Sequence, residues 1–430
     1  MTSIVSIQLA EGKPSVSLHE YRVAWEGKMA GTFAFKAGST AVPMISDVAF
    51  AELLNDPYPT FKRARDMAPI VRIEAAKIMV ATRYDDIVAM ERDPETFSSE
   101  NPQSLVNKVM GHTMMRKDGE AHQRERRAID PSLRPGAVKS CWGPKLEAVF
   151  EDIVARFERD GEADLFQALA APMAGRALAE VLGFQDVDWQ TMAFWSQSLI
   201  DGAGNYSGDP EISRKAVEAA RGVEDAIDRA LPYHRANPNT SVLSSMIHAE
   251  DPHEIDQIYA NIKVAVGGGL NEPRDSILTL ILGLLQNPDQ LERVKANPNL
   301  WPVAFEEAVR WTSPIGMYPR RVTRDIVFSG VQLRAGDQVG LCVGAANRDG
   351  SRFEDPDRFD VFREKKSHLA FGAGAHFCAG TWVSRHMVGR LVVPRLFERL
   401  PNLRLKDPDA VRIQGWVFRG PVTLPVVWGA

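Results

Sequence analysis

Three groups of residues in this 430-residue chain have the types and spacing to do chemistry. The first is Phe371-Gly-Ala-Gly-Ala-His-Phe-Cys378-Ala-Gly380, a cysteine behind a glycine-rich turn and ahead of a helical stretch over 379–400. A cysteine at a helix N-terminus lies among unpaired backbone N–H groups that favour thiolate over thiol. Such a thiolate can ligate a metal from one side and leave the opposite side open. Gly372, Gly374 and Gly380 allow positive-φ turns and close approach to a flat ligand. A catalytic cysteine nucleophile is the competing chemistry, but no partner His or Asn arrangement accompanies it. The second group is Glu307-Ala-Val-Arg310, an acid and a base on one helix face and by default a weak surface bridge. The third is Gly268-Gly269-Leu270-Asn271-Glu272-Pro273. Glycines and a proline inside a helix are costly, and Pro273 has no N–H to give to the carbonyl of Gly269. A local opening should result, with Glu272 beside it as a carboxylic acid poised by partial burial for proton delivery.

The elements that position these groups are mostly helical. Ile70–Ile73 and Ile78–Ala81 read as a hairpin, apolar and β-branched around a polar turn. Helices are expected from Asp56-Pro57-Tyr58-Pro59 through Met67, and over about 84–92, 120–130, 143–159, 164–182 and 186–200. Asp251-Pro252-His253-Glu254 carries an N-cap, a first-turn proline and an early acid. It predicts the longest helix, running to Gln286 and spanning roughly 50 Å. Another helix starts near Pro302 and ends before Pro314. Strand texture follows at 327–333 and 338–342 and returns around Gly415 and Gly420-Pro421. Helices with small sheets at the edges make a mainly α, α+β fold rather than a βαβ repeat.

These motifs together resemble those of the bacterial cytochrome P-450 family, whose haem iron is held by a cysteine thiolate. The resemblance implies Cys378 as the proximal iron ligand of one haem b per chain, with Phe371, Gly372 and Gly380 shaping its loop. Glu307 and Arg310 match the family's buried Glu-x-x-Arg pair. Pro356-Asp-Arg358-Phe359 matches the segment that supplies a third member, expected to be Arg358, and Asn347-Arg348-Asp349 and Phe353 fit between them. His122 and Arg126 match the family's His-x-x-x-Arg contacts to the haem propionates, which require fixed cations and donors. Arg320, with Arg321 as a rival, and His376 complete that set. Where the family usually reads small-Gly-x-acid-Thr, this chain has Gly268-Gly269, then Asn271 at the acid position and Glu272 at the alcohol position. That departure leaves dioxygen and hydrogen peroxide both open as oxidant. Asn271-Glu272-Pro273, Arg310-Trp-Thr-Ser-Pro-Ile315 and Phe418-Arg-Gly-Pro421 are further similar to aromatic O-demethylases related to guaiacol-demethylating cytochrome P-450.

The resemblance implies a triangular haem-binding prism with a long central distal helix over 46–430, after an N-terminal extension, 1–45. It implies a monooxygenase acting on a small apolar or aromatic substrate with dioxygen, and places the loop 101–117 over the distal face. Met114, Met115, Phe194, Trp195, Ile315, Met317 and Trp416 to Phe418 are candidate pocket walls, or equally core. No flavin or nicotinamide fingerprint appears, so electrons are expected from a ferredoxin and its reductase. A basic patch of Arg124, Arg127, Arg134 and Lys139 could attract that partner, or be a solvated face. The rivals are a peroxide-dependent haem-thiolate enzyme and a haem-binding sensor without turnover. A formal charge of −5 argues against nucleic acid. The three cysteines, Cys141, Cys342 and Cys378, exclude a disulfide scaffold and fit a reducing compartment. With neither signal peptide nor membrane anchor legible, a cytoplasmic protein is expected.

Overall fold

The computed structural model describes residues 42–205 and 208–429. The expected 1–45 extension therefore lies outside the described residues up to residue 41. Its last residues, Met44–Ile45, are a strand (β1) of the main sheet. The expected hairpin forms as Ile70–Ile73 (β2) and Ile78–Ala81 (β3), joined through Lys77 at φ 51°. Phe97–Ser98 (β4), Tyr318–Val322 (β5) and Gln338–Leu341 (β6) complete a six-stranded sheet in the order β1-β2-β3-β6-β5-β4. β1 and β2 run parallel, as do β3 and β6; the other pairs are antiparallel. Small sheets of two or three strands lie elsewhere, one joining Ile413–Gln414 to Gly420–Pro421.

Helices supply the rest. Those that frame the site are Tyr84–Glu91 (α1), Leu105–Met110 (α2) and Gly119–Leu133 (α3), followed by Ile255–Gly267 (α4) and Asn271–Leu285 (α5). Trp301–Thr312 (α6) and Thr381–His386 (α7) complete them. The main hydrophobic cluster packs α4 and α5 residues such as Ile262 and Ile281 against Leu169, Leu199 and Leu396 from neighbouring helices. Among the described residues no helix is long and apolar enough to cross a membrane.

The structure corrects one expectation in two places. The segment read as one helix from Asp251 to Gln286 is two, α4 and α5, with a break at 268–270. Among the described residues the longest helix is instead Pro210–Ala236, 27 residues. Asp251 does not cap α4, because its carboxylate is taken by Arg124 of α3, and the helix begins after Glu254. At the break, Gly267-Gly268-Gly269 weakens the helix, and Pro273 would leave a carbonyl unbonded in mid-helix. Restarting at Asn271 puts Pro273 in a first turn, where its missing N–H costs nothing.

Candidate active site

The cysteine loop is held from both ends. Gly372 and Gly374 have φ of 68° and 65°, conformations that disfavour any side chain. A Cβ on Gly374 would stand 2.3 Å from the carbonyl oxygen of Glu91, so α1 packs directly on the loop backbone. The Cys378 amide donates to the Phe371 carbonyl at 2.9 Å, and α7 begins three residues later at Thr381. Burial pushes the Cys378 thiol up, against the pull of the Gly380 amide, and the Glu272 carboxylate adds to the rise. The helix-start environment thus does not by itself give a thiolate, and Glu272 is near enough to feel its charge.

Beside the loop is a buried basic cluster. His122 of α3 stacks on His376 at 4.1 Å between ring centroids. His376 Nε2 is 2.9 Å from Asp118 Oδ1 and 3.1 Å from Ser99 Oγ. Arg126 reaches the loop by donating to the Phe377 carbonyl at 2.9 Å, and pairs with Asp130. Arg320 on β5 is 7% exposed, while Arg321 turns to the Glu100 carbonyl. Burial pushes His122 down to about 4, helped by the charges of His376, Arg126 and Arg320. Burial likewise lowers His376, against the pull of Asp118.

Behind the loop, Glu307 and Arg310 of α6 form a buried bidentate pair, with bonds of 2.7 and 2.8 Å. Arg310 also donates to the carbonyls of Asn347, Pro356 and Arg358. The third side chain is Arg363, whose Nε lies 3.0–3.1 Å from both Glu307 oxygens. Arg358, expected in that role, is exposed and contributes only its carbonyl. Its place in the loop turns its side chain to water. Asn347 carries the link onward, accepting from the Leu369 amide at 2.7 Å two residues before Phe371.

The broken helix carries the remaining candidates. Asn271 is buried and its Oδ1 accepts from Arg274, which also pairs with Asp275 and lies over the Phe166 ring. The amide at the acid position is therefore committed to its own helix. Gly269 is closely covered by the Ala265 carbonyl and Leu178, whereas Gly268 has only the Val264 carbonyl near its Cβ position.

A family model for cytochrome P450 matches residues 299–400. Cytochrome P450 107B1 of Saccharopolyspora erythraea is 31% identical over 410 residues, covering 89% of this chain and 97% of that protein. The chain belongs to the cytochrome P450 family. Cytochrome p450 CYP199A2 of Rhodopseudomonas palustris is 28% identical, over 90% of this chain and 94% of its own. The crystal structure of CalO2 superposes with a TM-score of 0.79 at 27% identity, covering 87% of this chain and 96% of that one. The protein is thus a P450 monooxygenase with the mainly helical P450 fold, and enzymes of this family bind protoporphyrin IX haem.

The residues present fit that haem. A free cysteine sits at the tip of a fixed loop, and a metal ion deprotonates a coordinating thiol that burial alone keeps protonated. Beyond the effect of burial, His376, Arg126 and Arg320 act together to push His122 down, and although Asp130, Asp118 and Glu91 lie close by, guanidinium and ring N–H donors gathered in this way suit two carboxylates.

The candidate pocket walls divide. Ile315 and Phe418 bridge two strand-like segments, close to the Gly316 amide bond to Val417. Met317 is 2% exposed and packs as core with Ile78 and Trp416. Met114 and Phe194 are partly buried against the main cluster, and Trp195 is buried in it. Met115 is 39% exposed and belongs to the surface rather than to a pocket. Of the expected basic patch, Arg124 pairs with Asp251 and Arg127 with Glu120, so half of it is neutralised.

Several residues were missed. Glu91 of α1 is 6% exposed, accepts from the Tyr318 hydroxyl and lies 3.9 Å from Arg320. Burial pushes it up, against Tyr318, Arg320 and the Ala373 amide. Asp118, held at about 2 because His376 and Ser98 outweigh its burial, steadies His376. Only the Ser98-Ser99 pair ahead of Asp118 hinted at such a cluster, and nothing local marks Glu91.

Proposed function

We propose that Cys378 is the proximal ligand, that Arg126, Arg320, His122 and His376 hold the propionates, and that Glu272 is the distal proton donor. The carrying observation is that the charges of Glu272 and Arg126 both act on the Cys378 thiol, while Arg126 bonds the Phe377 carbonyl and His122 lies against His376 beside it. When bound, haem supplies the redox chemistry that lets one oxygen atom enter a substrate C–H bond. The chain's own part is positional and protonic. Arg310, Glu307 and Asn347 fix the cysteine loop through the Leu369 amide. Glu272, at the opening of the distal helix, donates and recovers a proton. Asn271 is held by Arg274 and does not share that task.

The substrate is a small aromatic, with O-demethylation of a methoxyarene as the leading case. Oxygen inserted into the methyl C–H gives a hemiacetal that collapses to a phenol and formaldehyde. The second oxygen atom leaves as water after two electrons and two protons are supplied. Those electrons come from a ferredoxin and its reductase. A groove beside the half-exposed Trp382 offers Lys139, Lys365 and Arg390 to an acidic carrier, while Lys366 and Arg385 in the same groove are paired with Glu364 and Glu306. The haem domain, expected over 46–430, is proposed to include β1 as well and so to begin by Met44. A peroxide-driven reaction is the second reading. It is favoured by a carboxyl at position 272, since the neighbouring Asp275 is already paired with Arg274.

The test is the ferrous carbonyl spectrum. A strongly red-shifted Soret band is expected for the haem-loaded protein and should vanish in Cys378→Ser. If the serine variant keeps the band, the ligand assignment is wrong. Formaldehyde release from methoxyarenes, with a ferredoxin system or with peroxide alone, separates the two oxidants.

A further inference from the structure

The segment between α2 and α3 is fastened to the distal helix by a buried polar knot. Glu125 of α3 is 2% exposed, where an amphipathic helix would ordinarily bury an apolar side chain. Its two oxygens accept from three donors. Lys117 Nζ bonds Oε1, while Asn261 Nδ2 at 2.7 Å and Gln257 Nε2 at 3.1 Å bond Oε2. Lys117 also donates to Gln257 Oε1 at 2.7 Å. The α4 side chains then grip the segment's backbone. Asn261 Oδ1 accepts from the Met114 amide at 2.8 Å, and Gln257 Nε2 donates to the His112 carbonyl at 3.0 Å. A Cβ at Gly111 would stand 3.1 Å from the Ala260 Cβ, and one at Gly267 would stand 3.1 Å from the Met110 methyl. Residues 110–117 thus lie along α4 from Gln257 to the edge of the break before Glu272.

A buried ion pair is a poor source of net stability, because desolvation offsets the attraction. It is a good source of a single geometry, since every donor lost leaves another group unpaired in a low-dielectric interior. Moving this segment off α4 would take Lys117 from Glu125 and Gln257, the Met114 amide from Asn261 and the His112 carbonyl from Gln257, all together.

We propose that Glu125 is a specificity-determining positioning residue: through Lys117, Gln257 and Asn261 it holds residues 111–117 shut against the distal helix and restricts the cavity to small substrates. This deepens the proposed function and rests on its reading of the space between Cys378 and Glu272 as the substrate cavity. A flat single-ring molecule enters without disturbing the knot. A longer one must wait for all its bonds to open.

The experiment compares the haem-loaded wild type with Asn261→Ala and with the double variant Lys117→Met, Glu125→Leu. The double variant replaces the ion pair by apolar groups and keeps the packing, so it carries the measurement if Asn261→Ala folds poorly. Association of imidazole and of 4-phenylimidazole is followed by the Soret shift, and exchange of the Met114 amide by mass spectrometry. In both variants the bulky probe should bind at least about tenfold faster, the scale of one lost charge-assisted bond. Imidazole should change less than about threefold, and Met114 exchange should accelerate. Equal change for both probes, or no change for either, overturns the proposal. Neither probe requires turnover, so that failure would leave the chemistry assigned to Cys378 and Glu272 untouched. A missing carbonyl band in the wild type would count against that chemistry alone.

Discussion

The cysteine loop and the helix break are built in opposite ways. On the cysteine side the charged pair behind the loop is bonded several times over. Glu307 accepts from Arg310, Arg363 and the Asp360 amide, and Arg310 satisfies three carbonyls of the segment leading to the loop. On the opposite side the regular helix is abandoned between Gly267 and Asn271, and its first polar side chain is turned back onto Arg274. A thiolate ligand works only at one distance and angle, so redundancy suits it. Proton delivery needs room for water and a group that can move, so a gap suits it. Changes behind the cysteine should therefore act on haem retention and stability, and changes at the gap on rate alone.

The sharpest way to break this contrast is Arg310→Ala. It leaves Glu307 in a site only 5% exposed and unbonds three carbonyls at once. Loss of about 3–5 kcal/mol is expected, the cost of breaking a buried pair. Thermal unfolding and haem content of the purified protein should both fall. Full haem content at an unchanged melting temperature would mean that the cysteine loop is not held this way.

Glu272→Gln is the matching change on the distal side. Peroxide-driven turnover should drop by about 100-fold or more, the range of general acid–base catalysis. The carbonyl band and melting temperature should stay as they are. Unchanged turnover would remove Glu272 from the chemistry, whereas a lost carbonyl band would erase the contrast between the sides.

What was legible follows the same divide. The cysteine loop, the Glu307–Arg310 pair and the hairpin from Ile70 to Ala81 are local patterns, and local patterns can be read from the chain. Arg363 could not be distinguished from Arg358, because the choice depends on how a loop folds back over Glu307 some fifty residues away. Here a second measurement sharpens the comparison. Arg363→Ala should cost about 1.5–3 kcal/mol, as for bonds to a charged group, and Arg358→Ala no more than about 0.5 kcal/mol, as for a surface site. The helix break was signalled by Gly267-Gly268-Gly269 and Pro273, whereas the start of α4 and the cover of the break depended on distant partners. Arg124 draws off Asp251, and Leu178 covers Gly269. The Glu125 knot left no trace in the sequence, since a glutamate on an amphipathic helix ordinarily faces water.

A small effect concerns acid, and it too should fall on the cysteine side. Burial alone would raise Glu306, but Arg385 and His368 outweigh it and hold its carboxyl at about 2. Arg385 in turn lies 4.7 Å over the Phe371 ring, whose backbone carbonyl binds the Cys378 amide. A carboxyl depressed in the folded state contributes stability above its unfolded value near 4.5, and loses it as pH falls toward 2. With the side chain 36% exposed, solvent screening leaves about 1 kcal/mol of that contribution. Glu306→Gln should therefore lower the melting temperature slightly near neutrality, and the gap to wild type should close between about pH 5 and pH 2. The fraction of carbonyl complex lacking the red-shifted band should rise with acid in the wild type and less steeply in the variant. A gap that stays constant with pH would mean that Arg385 and Phe371 hold the loop without help from this carboxylate.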